Sequence, residues 1–549
     1  MENFNTGTLN PEEPCLVDSG QGFSVYYKDR FLYSKHSPKK NIQKAIELVS
    51  IPEESVVLAI SPCLWYGLAE LAKKTPESSF IIGLEADEKL FSLAQNKLEE
   101  YLQQNPEHKT KILLATPETI EDVINKLPPQ RKVINIEFSG GSFINKVLYT
   151  QIINYIQNYI ASFWKNRVTL VKLGRLFNRN FFKNLKNIPA AKSIPLHSKY
   201  LDRPIIVFGA GESTEIFLKK ADIHLLNKCI IIAVDAVFPV LQKYGLKVDF
   251  VTGVESQLAI EKAYIGVKYS KSILLSDMAG RNEVIRHFSP NTLYFYSEFD
   301  NSSFFSRFEK KDILPLKIPA LGSVGLTATY LALMMRANEN VNVYVCGLDF
   351  SFTLGKTHLR GAPAHVSRLI SCSKIKKVEN YEAAFKISSK KINGKNGKMF
   401  TDAALSGYGF LFNHYFKNTK NLFDAGEEGI PLNIEKIPVE HIYSACKNFP
   451  ETKDFSKLIK SDSRSKTEIT EKFLDEERQS ILRIKELLSK GENSSPPPHP
   501  SLNEELYNLL KTREYLYLHY PDGYKCDISN ISFLKRVRSE LEFFLKDLE

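Results

Sequence analysis

Short apolar runs alternate with longer amphipathic stretches through the middle of the chain. Ile205–Phe208 leads into Gly209-Ala210-Gly211-Glu212-Ser213 and a segment with helical spacing. Residues 229–234 end in Asp235-Ala236, and 250–254 end in Glu255. β-Branched runs separated by helix-length segments predict a parallel sheet with crossover helices. Earlier in the chain, Ser55–Ile60, Phe80–Leu84, 111–115 and 132–136 read as strands, with helices over 64–74 and 88–103. This half forms a smaller Rossmann-like unit of its own. Residues 22–34 read as a hairpin or short strands, and 152–192 as a solvated connecting helix rich in Asn, Lys, Arg and aromatics.

Beyond the core, 461–467 is a charged linker, and 468–490, 502–518 and Ile531–Leu548 have amphipathic helical spacing. Three successive prolines within 491–500 forbid helix and favour an extended spacer. The predicted organisation is therefore α/β. A flexible leader (1–18) precedes an N-terminal Rossmann-like domain (19–150) and a helical connector (151–200). A catalytic core (201–445) and a helical C-terminal region (446–549) follow. In a parallel sheet ligands sit at the carboxyl ends of the strands. Gly209 and Gly211 fall at such an end, where glycine lets backbone N–H groups approach a phosphate. Ser213 can cap the following helix and donate to an anion; the bland alternative is a tight turn. In the N-terminal unit Glu85 ends the second strand, where dinucleotide folds hold a ribose. The first turn there, 61–67, lacks the glycine fingerprint, so a structural or protein-docking role is expected.

Further pieces follow in order: Ala320-Leu321-Gly322-Ser323-Val324-Gly325-Leu326-Thr327, Val343-Tyr344-Val345-Cys346-Gly347-Leu348-Asp349, Gly355-Lys356-Thr357-His358, Gly397-Lys398-Met399-Phe400-Thr401-Asp402 and Asp424-Ala425-Gly426-Glu427-Glu428-Gly429. This series resembles the motility-associated factor (Maf) glycosyltransferases and the core they share with archaeal 6-hydroxymethylpterin diphosphokinases. The resemblance spans about residues 20–440 and is strongest over 203–430. It implies a sialyltransferase-like core, a CMP-activated nonulosonic (sialic-acid-like) sugar as donor, and Ser/Thr of flagellin as acceptor.

Such a transfer needs the donor phosphate held and the acceptor hydroxyl deprotonated by a group that titrates near neutrality. The resemblance makes His358 the base, with Asp349 orienting its imidazole or binding the ligand; His365 and Arg368 follow at distances that join the pocket. Gly322, Ser323 and Thr327 open a second small-residue turn, either an anion or ribose cradle or a close-packed helix start. Asp235 and Glu255 can accept hydrogen bonds from sugar or base, ligate Mg²⁺ or cap helices. No residue is assigned to a metal, and no cofactor beyond the donor is firmly implied. Two departures stand out. Glu212 follows the glycine turn, where a carboxylate repels phosphate. The diphosphokinase branch carries Asp-Leu-Asp-Gly where this chain has Gly253-Val254-Glu255-Ser256-Gln257. The alternatives are therefore a pterin-type pyrophosphoryl transferase and a non-catalytic flagellin-binding relative.

A net charge of +10 over 549 residues suits anionic ligands, without the concentrated basic footprint of a nucleic-acid binder. Seven cysteines without a C-x-x-C pair fit a reducing compartment. With neither a signal-peptide pattern nor eighteen uninterrupted apolar residues, the expected location is cytoplasmic, with no membrane span.

Overall fold

The computed structural model describes residues 10–187, 193–267, 271–298, 303–376, 379–459, 464–492 and 500–548. Parts of the leader (1–9), connector (188–192), charged linker (461–463) and proline-rich spacer (493–499) lie outside the described residues. The chain forms two compact units, Met1–Thr169 and Leu170–Glu549. Among the described residues no helix is long and apolar enough to cross a membrane.

The first unit is built on a four-stranded parallel sheet in the order Ile112–Ala115, Phe80–Leu84, Ser55–Ile60, Lys132–Glu137. Its strands match the apolar runs. The helix after Ser55–Ile60 starts later than the apolar pattern suggests, at Leu68, because Ser61, Cys63 and Trp65 have φ of 48°, 47° and 54° and break the helical path. Cys15–Asp18, placed in the leader by its sequence, is a strand paired antiparallel with Phe23–Tyr27. Glu85 is buried, and accepts hydrogen bonds from Ser61 Oγ (2.7 Å), Tyr149 Oη (2.7 Å), Ala86 N (3.0 Å) and Asp87 N (3.1 Å). Its acceptor capacity is spent internally, so it is a structural carboxylate.

The second unit holds a nine-stranded, all-parallel sheet. From one edge the order is Leu316–Ile318, Thr292–Ser297, Ile273–Asp277, Phe250–Gly253, Ile230–Val234, Ile205–Phe208, Val343–Cys346, Leu422–Asp424, Glu435–Lys436. The central strands read as continuous apolar runs because helices cover both faces, and Ile205–Phe208 and Ile230–Val234 are buried throughout. The strand order reverses between Ile205–Phe208 and Val343–Cys346, which pair in register Ile205↔Val343.

The C-terminal helices share the core of this unit. Phe182 on the helix Lys146–Asn187 contacts Phe304, Tyr515 and Phe544, and Phe308 contacts Phe473. Fully buried Glu477 on the helix Arg464–Glu492 takes hydrogen bonds from Tyr515 Oη (2.8 Å) and Arg307, and pairs with Arg513 (3.0 Å). Residues 464–467, assigned to a linker by their charge, belong to that helix. The connecting helix is not solvated along its last turns: Asn178, Asn180 and Asn184 are buried.

At the strand reversal the backbone comes too close for side chains. A Cβ on Gly209 would overlap the Gly347 carbonyl oxygen and lie 2.6 Å from Leu348 Cδ2. Gly209→Ala is expected to cost roughly 2–3 kcal/mol, because the obstruction is backbone that cannot step aside. Urea unfolding followed by far-UV circular dichroism checks this; tryptophan fluorescence would not, since Trp65 and Trp164 both lie in the first unit.

Candidate functional site

In open α/β sheets the ligand crevice lies at the carboxyl edge where strand order reverses. Here the loops meeting at that point are Gly209–Ser213 and Gly347–Asp349. Gly209 N donates to Cys346 O (2.8 Å) and Gly211 N to Gly347 O (2.9 Å). Asp349 Oδ2 accepts from Ser213 N (3.0 Å) at the start of the helix Glu212–Lys220. A carboxylate of the chain itself therefore occupies the place the sequence gives to a phosphate. Ser213 is fully buried, and its hydroxyl exchanges hydrogen bonds with Glu428 O (3.1 Å) and Glu428 N (2.8 Å). The expected cradle of Gly209, Gly211 and Ser213 is thus filled, and its glycines serve close approach of backbone and Asp349. Leu348 wedges beside Gly209 and Gly325, so the second glycine turn converges on the same loop.

A hairpin, Lys390–Gly394 with Gly397–Thr401, supplies the counter-charge. Lys395 at its tip pairs with Asp424 (2.5 Å), both side chains being buried, and donates to Gly426 O (3.1 Å). Burial pushes the Asp349 carboxyl up to about 6, while the Ser213 hydrogen bonds and Lys395 pull it back and Asp424 raises it. Asp349 does not orient His358, as the sequence suggests; it faces the helix start.

The loop carrying His358 crosses the first glycine turn, where Leu359 N donates to Ala210 O (2.9 Å). Glu212 points away from the turn and binds Thr353 Oγ1 and Lys356 Nζ, which fixes the near end of that loop. Glu215 holds the far end through Arg360 (3.0 Å) and also pairs with Lys219 (2.8 Å). His358 Nδ1 lies 3.2 Å from Thr357 Oγ1, and Arg368 donates to that same hydroxyl. Burial, then the Arg368 guanidinium and His365, push the His358 pKa down to about 4. The imidazole is neutral at physiological pH, below the near-neutral titration a general base is expected to have.

A second group lies along the neighbouring strand ends. Asp235 is buried, with Oδ1 accepting from Ala236 N (2.7 Å) and Oδ2 lacking a hydrogen-bond partner. Burial, reinforced by the Glu255 charge, raises its pKa to about 7. Glu255 Oε1 takes hydrogen bonds from Ser256 N (3.0 Å) and Gln257 N (2.9 Å). Gly322 (φ 69°) faces the Tyr408 ring, and Tyr408 feels the charges of Asp402 and Glu255. Ser323 is the N-cap of the helix Val324–Met335, with no side-chain cap hydrogen bond, and Thr327 is buried one turn on. Asp402 caps the helix Ala403–Phe416, and Glu427 pairs with Lys220 (2.7 Å). Sequence reasoning missed Asn180 and Asn184. Asn180 ties Ser256 O (3.2 Å) and Ala279 O (3.1 Å) to the long helix; Asn184 does the same for Met278 O (2.8 Å) and Gly280 O (2.9 Å). Among the described residues no three His, Cys, Asp or Glu side chains converge as a metal site.

Residues 179–355 match the family model described as 6-hydroxymethylpterin diphosphokinase MptE-like. An uncharacterized protein of Treponema pallidum (strain Nichols) is 28% identical, over 97% of this chain and 94% of its own length. Among solved structures, the MAf glycosyltransferase from Magnetospirillum magneticum AMB-1 aligns with a TM-score of 0.54 at 13% identity, over 99% of this chain and 92% of that one. The chain is thus similar to an MptE-like protein through its core and shares a fold with a Maf glycosyltransferase over nearly its whole length.

Asp235 holds its proton up to about pH 7 in the folded chain but releases it near 3.8 when unfolded. Folding stability is therefore lost as pH rises through that window. Asp235→Asn is expected to remove the loss and to stabilise the protein at pH 8 by on the order of 2 kcal/mol; denaturant unfolding at pH 5 and pH 8 measures the difference.

Proposed function

We propose that this chain is a glycosyltransferase that moves a nonulosonic sugar from its CMP-activated form to a Ser/Thr hydroxyl of flagellin in the cytoplasm, supporting flagellar assembly. The observation that carries the reading is a neutral imidazole, His358, on a loop anchored to the glycine turn at the strand reversal. The fold shared with a Maf glycosyltransferase supports it.

With Asp349 filling the first cradle, the donor sits toward the second turn. Ser323 and the start of the helix Val324–Met335 face its phosphate, and Asp235 and Glu255 accept from ribose or sugar hydroxyls. In the tautomer that donates from Nδ1 to Thr357, His358 Nε2 keeps a lone pair. It takes the acceptor proton as the hydroxyl oxygen bonds the anomeric carbon and the bond to the CMP phosphate breaks. Burial and, after it, the Arg368 charge depress the imidazole pKa; an anionic donor nearby offsets the Arg368 part and moves the base toward its working range.

His358→Gln is expected to lower kcat by roughly 10²–10⁴-fold, measured with a CMP-nonulosonate donor and flagellin, while isothermal titration shows CMP affinity changed by less than about threefold. Absence of CMP binding at millimolar nucleotide would sink the reading. The acid limb of kcat/KM is expected near pH 4, and that of kcat at higher pH, because only the latter reports the imidazole beside bound donor.

The MptE-like match favours a second reading, pyrophosphoryl transfer from ATP. ATP- and Mg²⁺-dependent release of AMP would replace the first proposal with it. The filled cradle favours a third, a flagellin-binding relative without catalysis, which unchanged flagellar assembly in His358→Gln would support.

A further inference from the structure

Between the helix Phe238–Lys243, the turn Leu258–Ala263 and the helix Pro363–Ile370 runs an open groove of about 780 Å³. Aliphatic side chains stand uncovered along it: Ile265, Val366 and Ile370 are 77%, 39% and 78% exposed. Lys243 and Lys262 line it, and among the described residues no carboxylate does. Gly361, three residues past His358, lines it and sits against Val240 of the helix that follows Asp235. Its lining is thus drawn in part from the segments that follow His358 and Asp235 in the chain.

Its lining restricts the occupant. Among the described residues no aromatic ring lines it. Three exposed aliphatic side chains lose water only against other apolar groups, and two ammonium groups without a lining carboxylate attract anions. Ser367 and Ser371 add hydroxyls near a passing backbone. We infer that this groove docks a segment of the acceptor polypeptide carrying alternating aliphatic and acidic side chains, delivering a neighbouring hydroxyl to the imidazole loop. The segment's aliphatic groups cover Ile265, Val366 and Ile370, and its carboxylates meet Lys243 and Lys262. The inference rests on the transferase reading for its biological meaning, but binding needs no donor and is measured without one.

The test uses the full chain and a fluorescein-labelled nonapeptide of three Glu-Leu-Ser repeats, followed by fluorescence anisotropy. Saturable binding is expected, weakened by salt. Peptides of Lys-Leu-Ser and Glu-Gly-Ser repeats are expected to bind at least about tenfold more weakly, as are the double variant Lys243→Glu/Lys262→Glu and the single variant Ile370→Asp with the first peptide. These positions are exposed, and thermal melts check that the variants stay folded. No saturable binding up to about 1 mM, equal binding of the three peptides, or unchanged affinity in both variants would overturn the inference. CMP titration of the same proteins separates the two ideas. Peptide binding without CMP binding keeps the groove and removes the donor reading, and CMP binding without peptide binding does the reverse.

Discussion

The second unit depends on how closely two loops approach where its strand order reverses. Gly209, Gly211 and Gly347 leave no room for a Cβ, and through that gap Asp349 reaches the N-terminus of the helix Glu212–Lys220. A buried carboxylate is unfavourable unless its charge is met. Here backbone N–H, the positive helix end and the Lys395 ammonium meet it in part, and burial still raises its pKa. Remove the close approach and the carboxylate has no seat.

This arrangement relocates the ligand problem. The usual anion site at a reversal point is already held by an internal anion, so an incoming phosphate meets repulsion at the first turn. In the transfer we propose, the surroundings of His358 and the strand ends at Asp235 and Glu255 take the ligand instead. Glu212, which looks hostile to phosphate in the sequence, is spent on Thr353 and Lys356 and shapes the imidazole loop.

Much of this was legible in the sequence, and the misses have physical reasons. The apolar strands at 205–208, 230–234 and 250–253 announce a two-faced parallel sheet, and Ile531–Leu548 is bounded by its own amphipathic spacing. Ile273–Asp277, Thr292–Ser297 and Leu316–Ile318 were not located, although ILLSD and TLYFYS are apolar, because no glycine motif draws attention to their ends. Glycine after a strand signals close approach, but not of what: Gly211 admits Asp349, 138 residues on, not a phosphate. Asparagine on a helix looks solvated in one dimension; Asn180 and Asn184 are buried because two loops present bare carbonyls to them. The helix after Ser55–Ile60 began late since positive φ at Ser61, Cys63 and Trp65 leaves no trace in hydropathy.

The ring cluster beneath the C-terminal helices sets a limit on how the chain can be shortened. Phe182, Phe304 and Phe308 find partners in Phe473, Tyr515 and Phe544. Arg307 would lose Glu477 along with them. A truncation ending near residue 450 would leave a wet aromatic floor and a stranded guanidinium, so the last hundred residues are a lid on the core rather than a detachable tail.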